Sequence, residues 1–163
     1  MSKQLRQYIG LFCAIAAYYM IHEGAHLLCA LFMGVFKQIH FMGLGIQIDV
    51  YAQAMTPVQM GVFCLVGSVA TALTGWILTA SIDSITPVHA PVLKACMYYI
   101  TAALLWIDPI YLCVLYRFFG GGDMNGISYL LPESAAHLIY GGILAGNTVL
   151  FFKTVLPKYK ASF

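Results

Sequence analysis

The fold is decided by the apolar stretch from Tyr8 to Phe36, which reads YIGLFCAIAAYYMIHEGAHLLCALFMGVF. Glu23 is the only charged residue in it. A helix of about 20 residues crosses the hydrocarbon core of a bilayer, and this stretch is longer than that. It is also too long for the apolar part of a cleaved signal peptide. We therefore expect a membrane-spanning helix that stays in the mature protein.

Three further stretches are apolar enough to span a membrane, at about residues 55–82, 95–116 and 135–152. The first and the last of these carry no charge, and the middle one contains only Asp108. No internal repeat and no linker divides the chain. We predict an all-α polytopic membrane protein, a single integral membrane domain over residues 1–163 with about four transmembrane helices.

The overall composition agrees with a location in a membrane. Of the 163 residues, 61% are hydrophobic and 9% are charged, whereas soluble domains have about 45–50% and about 25%. The mean hydropathy is +0.84. These values exclude a soluble cytosolic enzyme, a disordered chain and a nucleic-acid binder that uses a basic face.

The basic residues indicate an orientation. With the N-terminus inside, six of the eight Lys and Arg residues fall on the inner side: Lys3, Arg6, Lys94, Lys153, Lys158 and Lys160. The other two, Lys37 and Arg117, fall on the outer side. This excess favours a multi-pass protein with both termini inside, in the cytoplasmic membrane if the source is a prokaryote.

Residues 37–54, between the first two apolar stretches, show the period of a strand instead of that of a helix. Apolar and polar side chains alternate along Ile46–Tyr51 (IQIDVY) and along Ile39–Phe41 (IHF). Gly43–Gly45 (GLG) lies between the two runs and is predicted to form a turn. We expect a membrane-associated β-hairpin. An isolated hairpin is only marginally stable, so its open edge must lie against the helices or receive a guest strand.

The first apolar stretch contains the motif H-E-x-x-H, formed by His22, Glu23 and His26. On a helix, positions i and i+4 differ by only about 40° around the axis, so both imidazoles can reach one metal ion. Glu23 lies about 100° from His22 and can contact a metal-bound water. This pattern is typical of a zinc site with a glutamate general base. The alternatives are a polar cluster that joins helices and a bis-histidine haem site that uses His137.

A catalytic zinc needs a third protein ligand, and four later residues are candidates: Asp108, Asp123, Glu133 and His137. The first and third apolar stretches run in the same direction. Asp123 follows the third stretch, so it is expected on the same side of the membrane as the two histidines. Asp108 lies about four turns earlier and is expected near the opening of the first stretch. A site with Glu133 as the third ligand remains an alternative.

The sequence resembles the site-2 protease family of intramembrane zinc metalloproteases over roughly Tyr8–Gly126. The H-E-x-x-H motif, the small-residue stretch Gly67–Thr71 (GSVAT) and the segment Gly122–Gly126 (GDMNG) occur in the order expected for that family. The hairpin is similar to a β element that the family places between its first two core helices. One departure is Asp108–Pro109, where the family commonly has Asn-Pro. Asn125 or Asn147 is then left to stabilise an oxyanion.

The resemblance implies one Zn²⁺ per chain, held by His22, His26 and Asp123, with Glu23 as the general base. It implies an endopeptidase whose substrate is a transmembrane protein or peptide. The edge at Ile46–Tyr51 is expected to capture an unwound substrate segment by strand addition. The other hypotheses are a zinc-binding membrane scaffold without activity and a small transporter or proton relay.

Overall fold

The computed structural model describes residues 1–43, 45–119 and 122–162 of the chain, which form a helical bundle with one hairpin. The helices are α1 (Lys3–Phe32), α2 (Pro57–Ala80), α3 (Ile82–Ile85), α4 (Pro91–Ile110), α5 (Tyr116–Phe119), α6 (Gly122–Ile127), α7 (Glu133–Leu150) and α8 (Leu156–Ser162). The strands are β1 (Phe36–Met42) and β2 (Gly45–Val50), and a 3₁₀ turn (Ala52–Ala54) follows them.

Within the described residues, four helical stretches are long and apolar enough to cross a membrane: Lys3–Phe32, Pro57–Ala80, Pro91–Phe118 and Glu133–Ser162. These match the four predicted stretches in number and order. The last two are longer than predicted, since the third begins at Pro91 and the fourth continues to Ser162. π-helical turns, Tyr111–Leu115 and Phe151–Val155, join α4 to α5 and α7 to α8. A π turn admits an extra residue without ending the helix.

The first stretch begins earlier and ends earlier than its apolar residues suggest. Its polar start is helical because the Ser2 side chain accepts a hydrogen bond from the Leu5 N–H at 3.2 Å. At the other end, the Val35 N–H donates to the Ala30 carbonyl at 3.0 Å, which closes the helix. The chain then enters β1 at Phe36, which was predicted to belong to the helix.

The hairpin forms as the alternation predicts. β1 and β2 are antiparallel, with Ile39 opposite Ile48 and Phe41 opposite Ile46. Ile48 is buried against the helices, so one face of the hairpin joins the core. Tyr51 lies just beyond β2, and its N–H donates to the Val35 carbonyl at 2.9 Å. Leu44 of the predicted turn lies outside the described residues.

Helix α1 packs against α2 and α4, and α6 packs against α2. The α6 contact is close because Gly126 lies directly on Cys64, where a β-carbon would collide with the thiol. Gly120 and Gly121, which precede α6, lie outside the described residues. The close packing of α6 on α2 brings Asp123 towards the centre of the bundle.

Polar contacts fix α7 to the rest of the bundle. The hydroxyls of Ser68 and Tyr140 are 2.6 Å apart. The buried Asn147 amide accepts from the Trp76 Nε1–H at 2.9 Å and donates to the Leu105 carbonyl at 2.7 Å. Helix α7, which falls outside the region that resembles the protease family, is therefore part of the same bundle.

Candidate metal centre

Helix α1 places two imidazoles on one face, one turn apart. The side chains of His22 and His26 are both buried. Their Nε2 atoms are 3.1 Å apart, and the two rings meet edge to face. The four-residue spacing on a regular helix accounts for this geometry.

Asp123 approaches the two imidazoles from α6. Its Oδ2 lies 3.2 Å from the His22 Nε2 and 3.6 Å from the His26 Nε2. One ligand atom from each of the three residues lies within 4.8 Å of the other two. The structure therefore brings together the three residues that the sequence analysis proposed as ligands, and this group could hold a metal ion.

The donor atoms and the space around them fit a metal. Two imidazole nitrogens and one carboxylate oxygen are a donor set that zinc accepts in catalytic sites. Gly67 of α2 faces the two imidazoles. A β-carbon at Gly67 would lie 2.5 Å from the His26 Nε2 and 2.8 Å from the His22 Nε2. Only glycine leaves this space free.

Asp123, which lies outside the candidate spans, is an ionised carboxylate in this arrangement. Burial acts to raise the pKa of Asp123. The hydrogen bonds to His22 and His26 outweigh burial and lower the pKa of Asp123 to about 2. An ionised carboxylate is the form that binds a metal cation.

Asp108 does not lie where the sequence predicted. It was expected near the opening of the first span, but both of its carboxylate oxygens lie 3.3 Å from the His22 Nδ1, in the middle of α1. The expectation was wrong because helix rise alone cannot show how α1 and α4 are offset. Helix α5 ends at Phe119, and α6, which carries Asp123, packs against α2. Asp108 and Asp123 therefore approach opposite nitrogens of one ring.

The Asp108 carboxylate is 2% exposed and is fully hydrogen-bonded. The Tyr18 hydroxyl donates to Oδ1 at 2.6 Å, and the Thr71 hydroxyl donates a short hydrogen bond to Oδ2. Neither donor was predicted from the sequence. Thr71 belongs to the small-residue stretch that contributes to the family resemblance, and this membership was a sequence signal for its role. For Tyr18, the only signal in the sequence was its position one turn before His22.

Glu23 lies beside the proposed metal ligands, and its side chain lines two cavities. One has a volume of about 390 Å³ and is lined by α1, by α4 and by the π turn, including His22 and Tyr111. The other has a volume of about 480 Å³ and lies between α1 and the hairpin. Asp123 lines a third cavity of about 380 Å³ together with residues 47–50 of β2.

The other candidate ligands lie elsewhere. The Glu133 carboxylate accepts from the Arg117 Nη2 at 2.7 Å and from the Tyr116 hydroxyl. The His137 Nε2 is 3.8 Å from Glu133, and its ring contacts Tyr116. In the described part of the chain, neither residue joins the group formed by His22, His26 and Asp123. The structure thus favours neither Glu133 as a ligand nor a haem site with His137.

The two asparagines that were candidates for oxyanion stabilisation also lie in different surroundings. Asn125 is exposed on α6, and its carbonyl accepts from the Ser128 hydroxyl at 2.6 Å. Asn147 has its side-chain amide bonded to Trp76 and Leu105. Asn147 therefore joins α7 to α2 and α4.

No family model, no curated protein and no solved structure matches this chain. Its function has to be inferred from its own residues and their geometry.

Proposed function

We propose that this chain is an intramembrane zinc-dependent endopeptidase that hydrolyses peptide bonds in or near a transmembrane segment. The observation that carries the proposal is the convergence of the Nε2 atoms of His22 and His26 with the Oδ2 of Asp123. Glu23 follows the first ligand directly on the same helix. The surrounding helices are apolar enough to lie in a bilayer, so we propose a multi-pass location for the chain.

His22, His26 and Asp123 are the residues that would hold the ion. Zinc, when bound, supplies a Lewis acid that polarises a carbonyl oxygen and lowers the pKa of water towards neutrality. Glu23 accepts a proton from the attacking water on its carboxylate. It then gives this proton to the leaving amine as the peptide bond breaks. His22 and His26 keep their Nε2 lone pairs directed at the centre.

Asp108 acts as a positioning residue for His22. Its carboxylate accepts the Nδ1–H of the ring, so the lone pair is on the Nε2. Carboxylates often hold metal-ligating histidines in this way, and they raise the basicity of the ligand. Tyr18 and Thr71 in turn hold both oxygens of Asp108. A buried carboxylate with so many donors is therefore better explained as part of the site than as an isolated polar residue in an apolar bundle.

The cavity lined by Asp123 and β2 supports a peptide substrate. A transmembrane helix hides its carbonyls in its own hydrogen bonds, so a substrate segment must unwind before it is attacked. One edge of β2 pairs with β1, and residues 47–50 of β2 line the cavity that reaches Asp123. A segment added to β2 would thus be held in extended form beside the metal ligands.

The proposal is tested by zinc analysis and cleavage assays on detergent-purified protein. We expect about one zinc per wild-type chain, and a loss of zinc in His22→Ala and in Asp123→Ala. Glu23→Gln should keep its zinc and lose cleavage of a model transmembrane peptide by at least about 100-fold. Glu133→Gln is the matched control and should cleave normally, because Glu133 lies outside the metal group.

Two results would contradict the proposal. Wild-type protein without zinc after purification in metal-replete buffer would argue against the site itself. Zinc binding without any cleavage, with Glu23→Gln indistinguishable from wild type, would instead favour a non-catalytic zinc scaffold.

A further inference from the structure

A fourth cavity, with a volume of about 490 Å³, lies at the end of the bundle where α1 and α4 begin and α8 ends. It is lined by Lys3, Arg6, Gln7, Ala95, Tyr98, Tyr99, Leu156, Tyr159 and Lys160. None of the residues of the candidate metal centre lines it. This cavity is a separate feature of the molecule.

The lining of this cavity is strongly basic for such a chain. Three of the eight Lys and Arg residues line it, and no Asp or Glu does. Among the described residues, no carboxylate forms an ion pair with Lys3, Arg6 or Lys160. The neighbouring Lys158, in contrast, is paired with Asp83 at 2.6 Å. The cavity therefore holds uncompensated positive charge and favours an anion.

Its position favours an anion that belongs to a lipid. Lys3 is the first residue of α1, and Lys160 lies near the end of α8, so both are at the ends of candidate spans. The cavity is also lined by the apolar side chains of Ala95 and Leu156. A ligand with an anionic head and apolar chains could contact both these side chains and the basic residues.

We infer that this cavity binds the phosphate-bearing headgroup of an anionic phospholipid. The Arg6 guanidinium and the ammonium groups of Lys3 and Lys160 bind the phosphate oxygens through charge-assisted hydrogen bonds. Tyr98 and Tyr99 line the cavity, and tyrosine is favoured at the level of lipid headgroups. The acyl chains leave the cavity past the apolar side chains of Ala95 and Leu156. This inference is independent of the proposed peptidase activity.

The test measures the binding of phosphatidylglycerol to the detergent-purified full chain by native mass spectrometry, with phosphatidylcholine as the neutral reference. The double variant Lys3→Gln/Lys160→Gln removes two charges from the cavity. Lys37→Gln/Lys153→Gln changes the net charge equally and is the matched control, because neither lysine lines the cavity.

Each basic residue near an anionic surface contributes about fivefold to affinity, so the cavity variant should lose about 25-fold. Wild type and the control should prefer phosphatidylglycerol to phosphatidylcholine to a similar degree. Lys3→Arg/Lys160→Arg keeps both charges and should keep this preference. It also distinguishes loss of charge from loss of folding.

Three outcomes would overturn the inference. The first is equal binding of the two lipids by wild type, which needs no variant. The second is an equal loss in the control variant, which would show a response to net charge alone. The third is displacement of phosphatidylglycerol by low concentrations of inorganic phosphate, which would show a site for the free anion.

Discussion

The carboxylate of Asp108 lies 3.3 Å from the Nδ1 of His22, on the opposite side of the ring from the Nε2 that faces Asp123. One imidazole of α1 is thus fixed from both sides by residues of α4 and α6. Its orientation therefore depends on three helices at once. This contact gives Asp108 a role that its position in the sequence did not suggest.

Asp108→Asn should weaken zinc binding without abolishing it. The variant keeps the shape of the side chain but removes the negative charge that holds the Nδ1–H of His22. Loss of such an outer partner typically costs about 10–100-fold in metal affinity. Competition with a chromophoric chelator measures the affinity, and the absorption spectrum of the cobalt-substituted protein reports the ligand geometry.

The control for this measurement is Asp83→Asn, since Asp83 pairs with Lys158 far from the ligands. It should bind zinc like the wild type. If Asp108→Asn also did so, with an unchanged cobalt spectrum, Asp108 would be a structural residue only.

Gly67→Ala should block the metal centre. The new methyl group would lie 2.5 Å from the His26 Nε2, which forces one imidazole away from the other ligands. Zinc stoichiometry measures the effect, and we expect it to fall well below one per chain. Gly142→Ala is the matched control, because a β-carbon at Gly142 meets nothing within 4 Å. Full zinc loading of Gly67→Ala would show that the ligands do not depend on this space.

Proline substitutions along residues 47–50 of β2 should reduce cleavage while zinc content stays constant. Proline removes a backbone N–H and so prevents pairing with an added strand. Proline at Gln38 or His40 of β1 is the control, since neither residue lines the cavity that reaches Asp123. Unchanged turnover in the whole β2 series would exclude the hairpin as the element that holds the substrate.

Asn147→Ala should lower stability and leave zinc content unchanged. The substitution leaves the Trp76 Nε1–H and the Leu105 carbonyl without their partner. Hydrogen bonds between membrane helices contribute about 0.6 kcal/mol on average and up to about 1.7 kcal/mol. Thermal unfolding in detergent measures the change, and the exposed Asn125→Ala is the control. A large loss of turnover in Asn147→Ala with normal stability would instead point to a role in catalysis.

Several parts of the fold could be predicted from the sequence because they depend on local pattern. The four candidate spans follow from apolar length, and the hairpin follows from the alternation between Ile39 and Tyr51. The approach of His22, His26 and Asp123 follows from the four-residue spacing and from the common direction of the first and third spans. These features need no knowledge of how the helices are rotated or offset.

The remaining contacts depend on how each helix is rotated about its axis and shifted along it relative to its neighbours. A single sequence does not reveal either quantity. To predict the contact between Gly67 and the imidazoles, one must know which face of α2 packs against α1. To predict the contact between Asp108 and His22, one must know how far α4 is shifted along its axis relative to α1. The π turn that begins at Tyr111 also changes the rotational phase of the residues after it, which residue counting does not show.

Residues 47–50 of β2 and the carboxylate of Asp123 line one cavity, so a peptide paired with the strand would have a fixed distance to the point of hydrolysis. The hairpin would then act as a ruler. The cut would fall at a constant number of residues from the paired segment, whichever side chains flank the bond. Inserting residues between these two parts of a substrate should move the cleavage site by the length of the insertion.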